Sequence, residues 1–281
     1  MNIWLKILIF FLIWILFCAI FYGAIFLIFP ELFTASKPEF EHLLSTNYSM
    51  LFLSQTALLL GTISSILFVS KVINKESAGF LKSMMNVNGI LVGGSMGILL
   101  ILFCVILVLL FNPIKIKFQG FNIGLIFYII IFFIIAISEE MVFRGYIFYN
   151  LFISINKYYA ILVSSVIFAL IHILNSSISI IGFINLILAG ILFTLLYLSK
   201  MNLSIPIGFH FSWNFLQGPI LGFSVSGFVT NSVFKIENAT GYDFSFQGFG
   251  LEGSFFLTMI IIPFIIFFFY KNKQKIIRNI G

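Results

Sequence analysis

The feature that most limits how this chain can fold is a series of long intervals without a single Lys, Arg, Asp or Glu. One runs from 7 to 30. Others lie between 42 and 71, between 82 and 115, and from 118 to 138, where two glutamates follow. The interval 158–199 holds 42 residues and is broken at Asn175-Ser176-Ser177, so it reads as two helices. The last two run from 201 to about 222 and from 253 to 270. A helix crossing a hydrocarbon core of ~30 Å needs about 20 residues. The expected fold is therefore all-α: a polytopic integral membrane helical bundle of about eight transmembrane helices. Composition agrees, because 61% hydrophobic and 9% charged residues cannot cover a soluble surface. A cytosolic globular protein, a disordered chain and a secreted disulfide scaffold are excluded.

An even number of spans puts both termini on one side. That side would carry Lys6, Lys71, Lys75, Lys82, Lys157, Lys200, Lys271, Lys273, Lys275 and Arg278, and the other only Lys37, Lys115, Lys117 and Lys235. Basic residues hold loops in the cytoplasm, so both termini are expected there. The net charge of +6 has this topological reading. No aromatic-interleaved basic patch exists, so nucleic acid is not an expected partner; the lipid bilayer is. The first apolar run is too long for a signal peptide and no A-x-A site follows, so it reads as a retained span. Cys18 and Cys104 sit inside apolar runs and read as core residues, neither disulfide nor metal site. The organisation expected is N-terminal helices over 1–119, a core over 120–222, and an outer loop, final helix and basic tail over 223–281. The segment 223–252 reads by default as a connector, with a lid or a substrate-access loop as alternatives. Its acids, Asp243 and Glu252, read as solvated.

Charge at bilayer depth costs several kcal/mol and persists with a partner and a function. Glu139, Glu140 and Arg144 follow the interval 118–138 without a turn signal, so they continue its helix. Glu140 and Arg144 stand at i,i+4 with the acid first, the favourable order for an ion pair. Glu139 points about 100° away and has no basic residue four positions on. One glutamate is thus neutralised in place and the other is free for chemistry. Of three histidines, His42 falls in a loop, His172 in the fifth span and His210 in the seventh, sharing a helix face with Asn214. Glu139 and His172 stand about 22–24 Å on either side of the turn near 154–157, so an antiparallel hairpin levels them. This requires the fourth helix to run on to about Leu151. His210 and Asn214 lie about 15 and 21 Å along their own helix. With helix tilt, these spacings allow all four to meet in one intramembrane cavity; spacing fixes depth and not lateral proximity. The bland readings are a histidine bonding a backbone carbonyl and a Glu–Arg pair acting as structural glue. A proton-coupled transporter is a third reading, against which no repeat relates the two halves. Gly93, Gly94, Gly97, Gly218 and Gly222 suit close helix packing, and Pro219 a kink.

Glu139-Glu140-x-x-x-Arg144, Phe168-x-x-x-His172 and His210-x-x-x-Asn214, in this order on separate helices, resemble the three motifs of the CAAX-protease and bacteriocin-processing (CPBP, Abi) family of intramembrane endopeptidases, which includes the type II CAAX prenyl proteases. The resemblance covers roughly 120–222. Trp213-Asn214-Phe215-x-Gln217-Gly218 and Gly250-Leu251-Glu252-Gly253 look like bacterial members, which implies a bacterial plasma membrane. The resemblance implies a cavity open to the cytoplasmic side and hydrolysis of a peptide bond by an activated water. The substrate would be a peptide or a membrane-anchored protein, prenylated or not. Glu139 would be the general base, helped by His172. His210 and Asn214 would stabilise the oxyanion, and Glu140 and Arg144 would hold the site. No cofactor is the favoured reading; the alternative is Zn²⁺ held by Glu139, His172 and His210 with an open water position. The tight His-x-x-x-His pairing of zincins is absent. Relatives with these motifs also serve as self-immunity proteins or scaffolds, which keeps a non-proteolytic role in view.

Overall fold

A computed structural model describes residues 1–75, 86–112, 114–238 and 248–277. Lys82, Asp243 and Arg278 lie outside the described residues. The described chain is an all-α membrane bundle with one small two-stranded sheet. Its helices are α1 (Ile3–Ile28), α2 (Lys37–Thr46), α3 (Tyr48–Phe68), α4 (Val87–Phe111), α5 (Gly124–Glu140), α6 (Tyr149–Ser154), α7 (Lys157–Ile171), α8 (Ile180–Lys200), α9 (Ser204–Phe215) and α10 (Phe255–Ile277). A π-helical turn, Val69–Ile73, prolongs α3, and another, Leu216–Ile220, holding Pro219, ends α9. The fourth expected span is continuous: α5 runs through the π-helical Met141–Phe148 into α6, giving Gly124–Ser154. The interval 158–199 does divide at 172–179 into α7 and α8.

Six of these described helices are long and apolar enough to cross a membrane by length and composition, which does not confirm the count of eight. α7, with 15 residues, and α9, with 12, are apolar but short. Polar caps set the starts: the side chains of Asn2, Asn47, Asn86, Asn156 and Ser179 each accept from a first-turn amide. α1 belongs to the bundle. Phe10 is fully buried and stacks on Tyr146 at 3.9 Å, and the indole of Trp14 donates to Thr62 at 2.9 Å. α4 and α9 touch backbone to backbone. A Cβ at Gly93 would strike the Ile205 carbonyl, and one at Gly208 the Ile90 carbonyl. Gly97 meets Ser212 and Phe209 in the same way, whereas Gly94 has room.

The bundle has two distinct ends. One carries the N-terminus, the turns at 154–157 and 200–204, and the end of α10. There Lys157 Nζ donates to the Lys275 carbonyl and Lys275 Nζ to those of Leu198 and Ser199. The other end carries α2, the turn after α7, and a folded cap. In the cap, β1 (Ile114–Phe118) pairs antiparallel with β2 (Phe234–Asn238), from Ile114↔Asn238 to Phe118↔Phe234. Asn175 Nδ2 donates to the Ser226 carbonyl at 2.9 Å, and Asn185 Nδ2 to those of Glu252 and Ser254 at 2.7 and 2.9 Å. The described part of 223–252 is thus tied to the bundle and does more than connect two helices.

Candidate active site

The site forms where α5, α7, α8 and α9 meet. Arg144 and Glu140 are its buried base. Both are essentially inaccessible, at 1% and 0% exposure. Arg144 Nη1 meets Glu140 Oε1 at 2.9 Å, and Nη2 donates to the Gly190 carbonyl at 3.2 Å. The guanidinium also lies over the rings of Phe168 at 4.5 Å and Phe193 at 4.9 Å. A charge buried this deeply is tolerable because each of these contacts offsets part of its desolvation.

Glu140 Oε1 has a second partner, His210 Nδ1, at 3.1 Å. A carboxylate paired with Arg144 accepts there, so Nδ1 is the donor and Nε2 is the nitrogen turned toward the cavity. His172 is fixed by the same logic. Its Nδ1 stands 2.8 Å from the Phe168 carbonyl, which can only accept. Both Nε2 atoms then face one oxygen: Glu139 Oε2 lies 4.0 Å from His172 Nε2 and 3.8 Å from His210 Nε2. That oxygen is buried and has no hydrogen-bond partner among the described residues. Separations of 3.8–4.0 Å exceed a direct hydrogen bond and suit a bridging water. Phe193 stacks on the His210 ring at 5.1 Å and 17°, and Phe168 borders His172 at 4.9 Å with the rings tilted by 54°, so an aromatic ring packs against each imidazole.

These groups line one cavity of ≈ 290 Å³. Glu139, His172, His210 and Asn214 all border it, together with Leu51, Leu100, Ile131, Phe132, Leu186 and Phe209. Glu140 and Arg144 stand behind the lining. Helical spacing alone put Glu139, His172, His210 and Asn214 at compatible depths; their lateral proximity comes from the fold. Among the described residues no group of three or more His, Cys, Asp or Glu stands where it could hold a metal ion.

Residues 121–216 match the family model described as type II CAAX prenyl endopeptidase, Rce1-like. The chain carries an Rce1-like segment. It covers about a third of the sequence and contains every residue of the site base and both imidazoles, from Glu139 to Asn214. It agrees with the resemblance to CAAX-protease-like intramembrane endopeptidases read from the three motifs. No curated protein and no solved structure is significantly similar to the chain.

Beyond the Rce1-like segment, the cavity has one acid that sequence reasoning set aside as solvated. Glu252 is 6% exposed and lines the cavity. Its Oε2 accepts from Gln217 Nε2, and Oε1 stands 3.4 Å from Ser226 Oγ. Burial pushes its carboxyl up to about 7, against these bonds, which pull it down. The signal was Gly250-Leu251-Glu252-Gly253: Gly250 has φ 94°, and a Cβ there would strike the Ser224 carbonyl. A glycine forced by so close an approach marks a folded turn rather than a loop acid in water.

Proposed function

We propose that the protein is an intramembrane endopeptidase that hydrolyses a peptide bond with a water activated by Glu139. The observation that carries this reading is the convergence of two tautomer-fixed imidazole Nε2 atoms on the unpartnered carboxylate oxygen of Glu139, inside an apolar cavity. A water between Glu139 Oε2 and His172 Nε2 donates to both and turns its lone pair toward the cavity. As that water attacks the scissile carbonyl, Glu139 takes its proton, with His172 sharing it. The carbonyl oxygen becomes an oxyanion. The Asn214 amide donates to it, and His210 adds a second donor once a proton reaches its Nε2. The C–N bond then breaks, the leaving amine takes up the proton, and an acid and an amine are released. Glu140 and Arg144 do not touch the reacting atoms; they are positioning residues that hold His210 by its Nδ1.

The lining is largely Leu, Ile and Phe, so apolar residues beside the scissile bond fit best. The substrate class is a peptide or a membrane-anchored protein segment. The test is cleavage of an apolar peptide library, prenylated and unprenylated, by detergent-purified protein. Glu139→Gln is expected to lower kcat by at least about 10²-fold, the scale of a lost general base. Because Glu139 is 19% exposed and makes no direct bond, its thermal midpoint should stay near wild type. Cleavage by Glu139→Gln at the wild-type rate would refute the reading.

A further inference from the structure

Two expectations drawn from the sequence meet here and cannot both hold. The lysine bias puts both termini in the cytoplasm, while the family resemblance implies a cavity open to the cytoplasm. In the structure the cavity opens at the end of the bundle opposite the termini. Its outer wall is Leu44 of α2, Gln55 of α3, Asn175 after α7, and Ser226, Phe228 and Glu252 of the cap. A shallow groove shares Asn175, Val225, Ser226 and Phe228 with it and leads past His42 and Leu174 to the exposed Val229. Toward the termini the way is shut. Every residue from Met141 to Phe148 is buried, and Ile147, Leu151, Leu195, Leu196 and Leu198 are completely so.

The charges sort with the same two ends. Among the described residues the terminal end carries Lys6, Lys71, Lys75, Lys157, Lys200, Lys271, Lys273 and Lys275. The cavity end carries Lys37, Lys115, Lys117 and Lys235. All eight of the first set lie in short turns or within a few residues of a helix end, where the positive-inside bias acts most strongly. Three of the four on the cavity end lie on the paired strands β1 and β2.

We infer that the cleavage cavity opens on the extracytoplasmic face, so that the substrate is a peptide segment presented from outside the membrane rather than the tail of a cytoplasmic protein. The substrate assignment rests on the endopeptidase reading; the orientation does not. Entry from that face also explains the cap. A cavity with a polar floor, open to the outer medium, needs a folded rim to exclude bulk water from Glu139, and the cap supplies it through Asn175, Gln217 and Glu252.

Single-cysteine chains test the orientation without any cleavage. Cys18 and Cys104 are replaced by Ala, and Val229→Cys or Gln274→Cys is added; both positions are exposed and neither changes a charge. Intact bacterial cells are treated with a membrane-impermeant maleimide. Val229→Cys is expected to label at least about 10-fold more strongly than Gln274→Cys, and Gln274→Cys to label only after permeabilisation. The reverse ratio, or equal labelling of both, overturns the inference. Leu174→Cys, at the same rim, serves if Val229→Cys does not accumulate. A second arm adds a quenched fluorescent apolar peptide with charged, impermeant ends. Cleavage by intact cells that is lost in Glu139→Gln supports the inference, and cleavage only after lysis overturns it. If wild type and Glu139→Gln are equally inactive before and after lysis, the endopeptidase reading fails, while the labelling still decides the orientation.

Discussion

Glu140→Gln is the perturbation whose size the structure sets best. The substitution keeps shape and an acceptor oxygen for His210 Nδ1, but it removes the charge that balances Arg144. The guanidinium, 1% exposed, keeps the Gly190 carbonyl at 3.2 Å and the faces of Phe168 and Phe193. Breaking a buried ion pair from one side costs about 3–5 kcal/mol. The two ring contacts are already present in the wild type and recover none of it. At about 2–4 °C per kcal/mol for chains of this size, the expected loss is roughly 6–20 °C in thermal midpoint. Intrinsic fluorescence of the detergent-purified protein reads it. The double variant Glu140→Gln/Arg144→Met separates packing from positioning. Replacing a buried pair by an apolar chain of similar volume is often neutral, so stability should return to within about 1–2 kcal/mol of wild type. Activity should not return, because the charge that orients His210 is still gone. If Glu140→Gln unfolds within about 1 kcal/mol of wild type, Arg144 is not balanced by Glu140 and the account of the site's base is wrong.

Asn214→Ala should lower kcat by about 10²–10³-fold, as loss of one oxyanion donor does, with KM little changed. Gly93→Ala should cost about 1–3 kcal/mol, because its Cβ meets the Ile205 carbonyl, while Gly94→Ala should be close to neutral; paired thermal melts check the contrast. Glu252 gives a pH dependence. Its carboxyl stands near 7 when folded against 4.5 for the ordinary group, so the unfolded chain ionises first as pH rises. Stability is therefore full below pH 4.5 and falls by about 3 kcal/mol by pH 7, at about 1.36 kcal/mol per unit. Glu252→Gln should flatten that part of the profile; an unchanged slope between pH 4.5 and 7 would assign it to another group.

The site was legible in the sequence because charges in apolar intervals are few and helical spacing is rigid. Glu140 and Arg144 at i,i+4 form the pair that spacing predicted, even though the helix shifts there to π geometry. The levelling of Glu139 with His172 across the 154–157 turn also holds, since α5 continues through α6 to Ser154. What spacing could not supply was the lateral contact between α9 and α5, hence the bond from His210 to Glu140. It also could not show that Glu252 is buried, because that depends on Asn185 and Gln217 gripping a turn far away in sequence.

Two of the eight expected spans, α7 and α9, are shorter than the rest, and this bears on the chemistry. At about 1.5 Å per residue, the 15 residues of α7 reach only about 22 Å, short of the ~30 Å core. The helix ends at His172, at the wall of the cavity. Backbone polar groups freed by a turn such as 172–177 are tolerated beside an apolar phase only where they line a cavity or are covered by protein. Here both conditions are met: His172 and Asn175 border the cavity, and Asn175 bonds the cap through the Ser226 carbonyl. α9 is short in the complementary sense. It begins at Ser204, six residues before His210, and ends in the π-helical turn at Pro219. Two full-length spans in these places would carry unbroken apolar walls past Glu139. Two short ones bring the imidazoles of His172 and His210 to 4.0 and 3.8 Å from one carboxylate oxygen of Glu139.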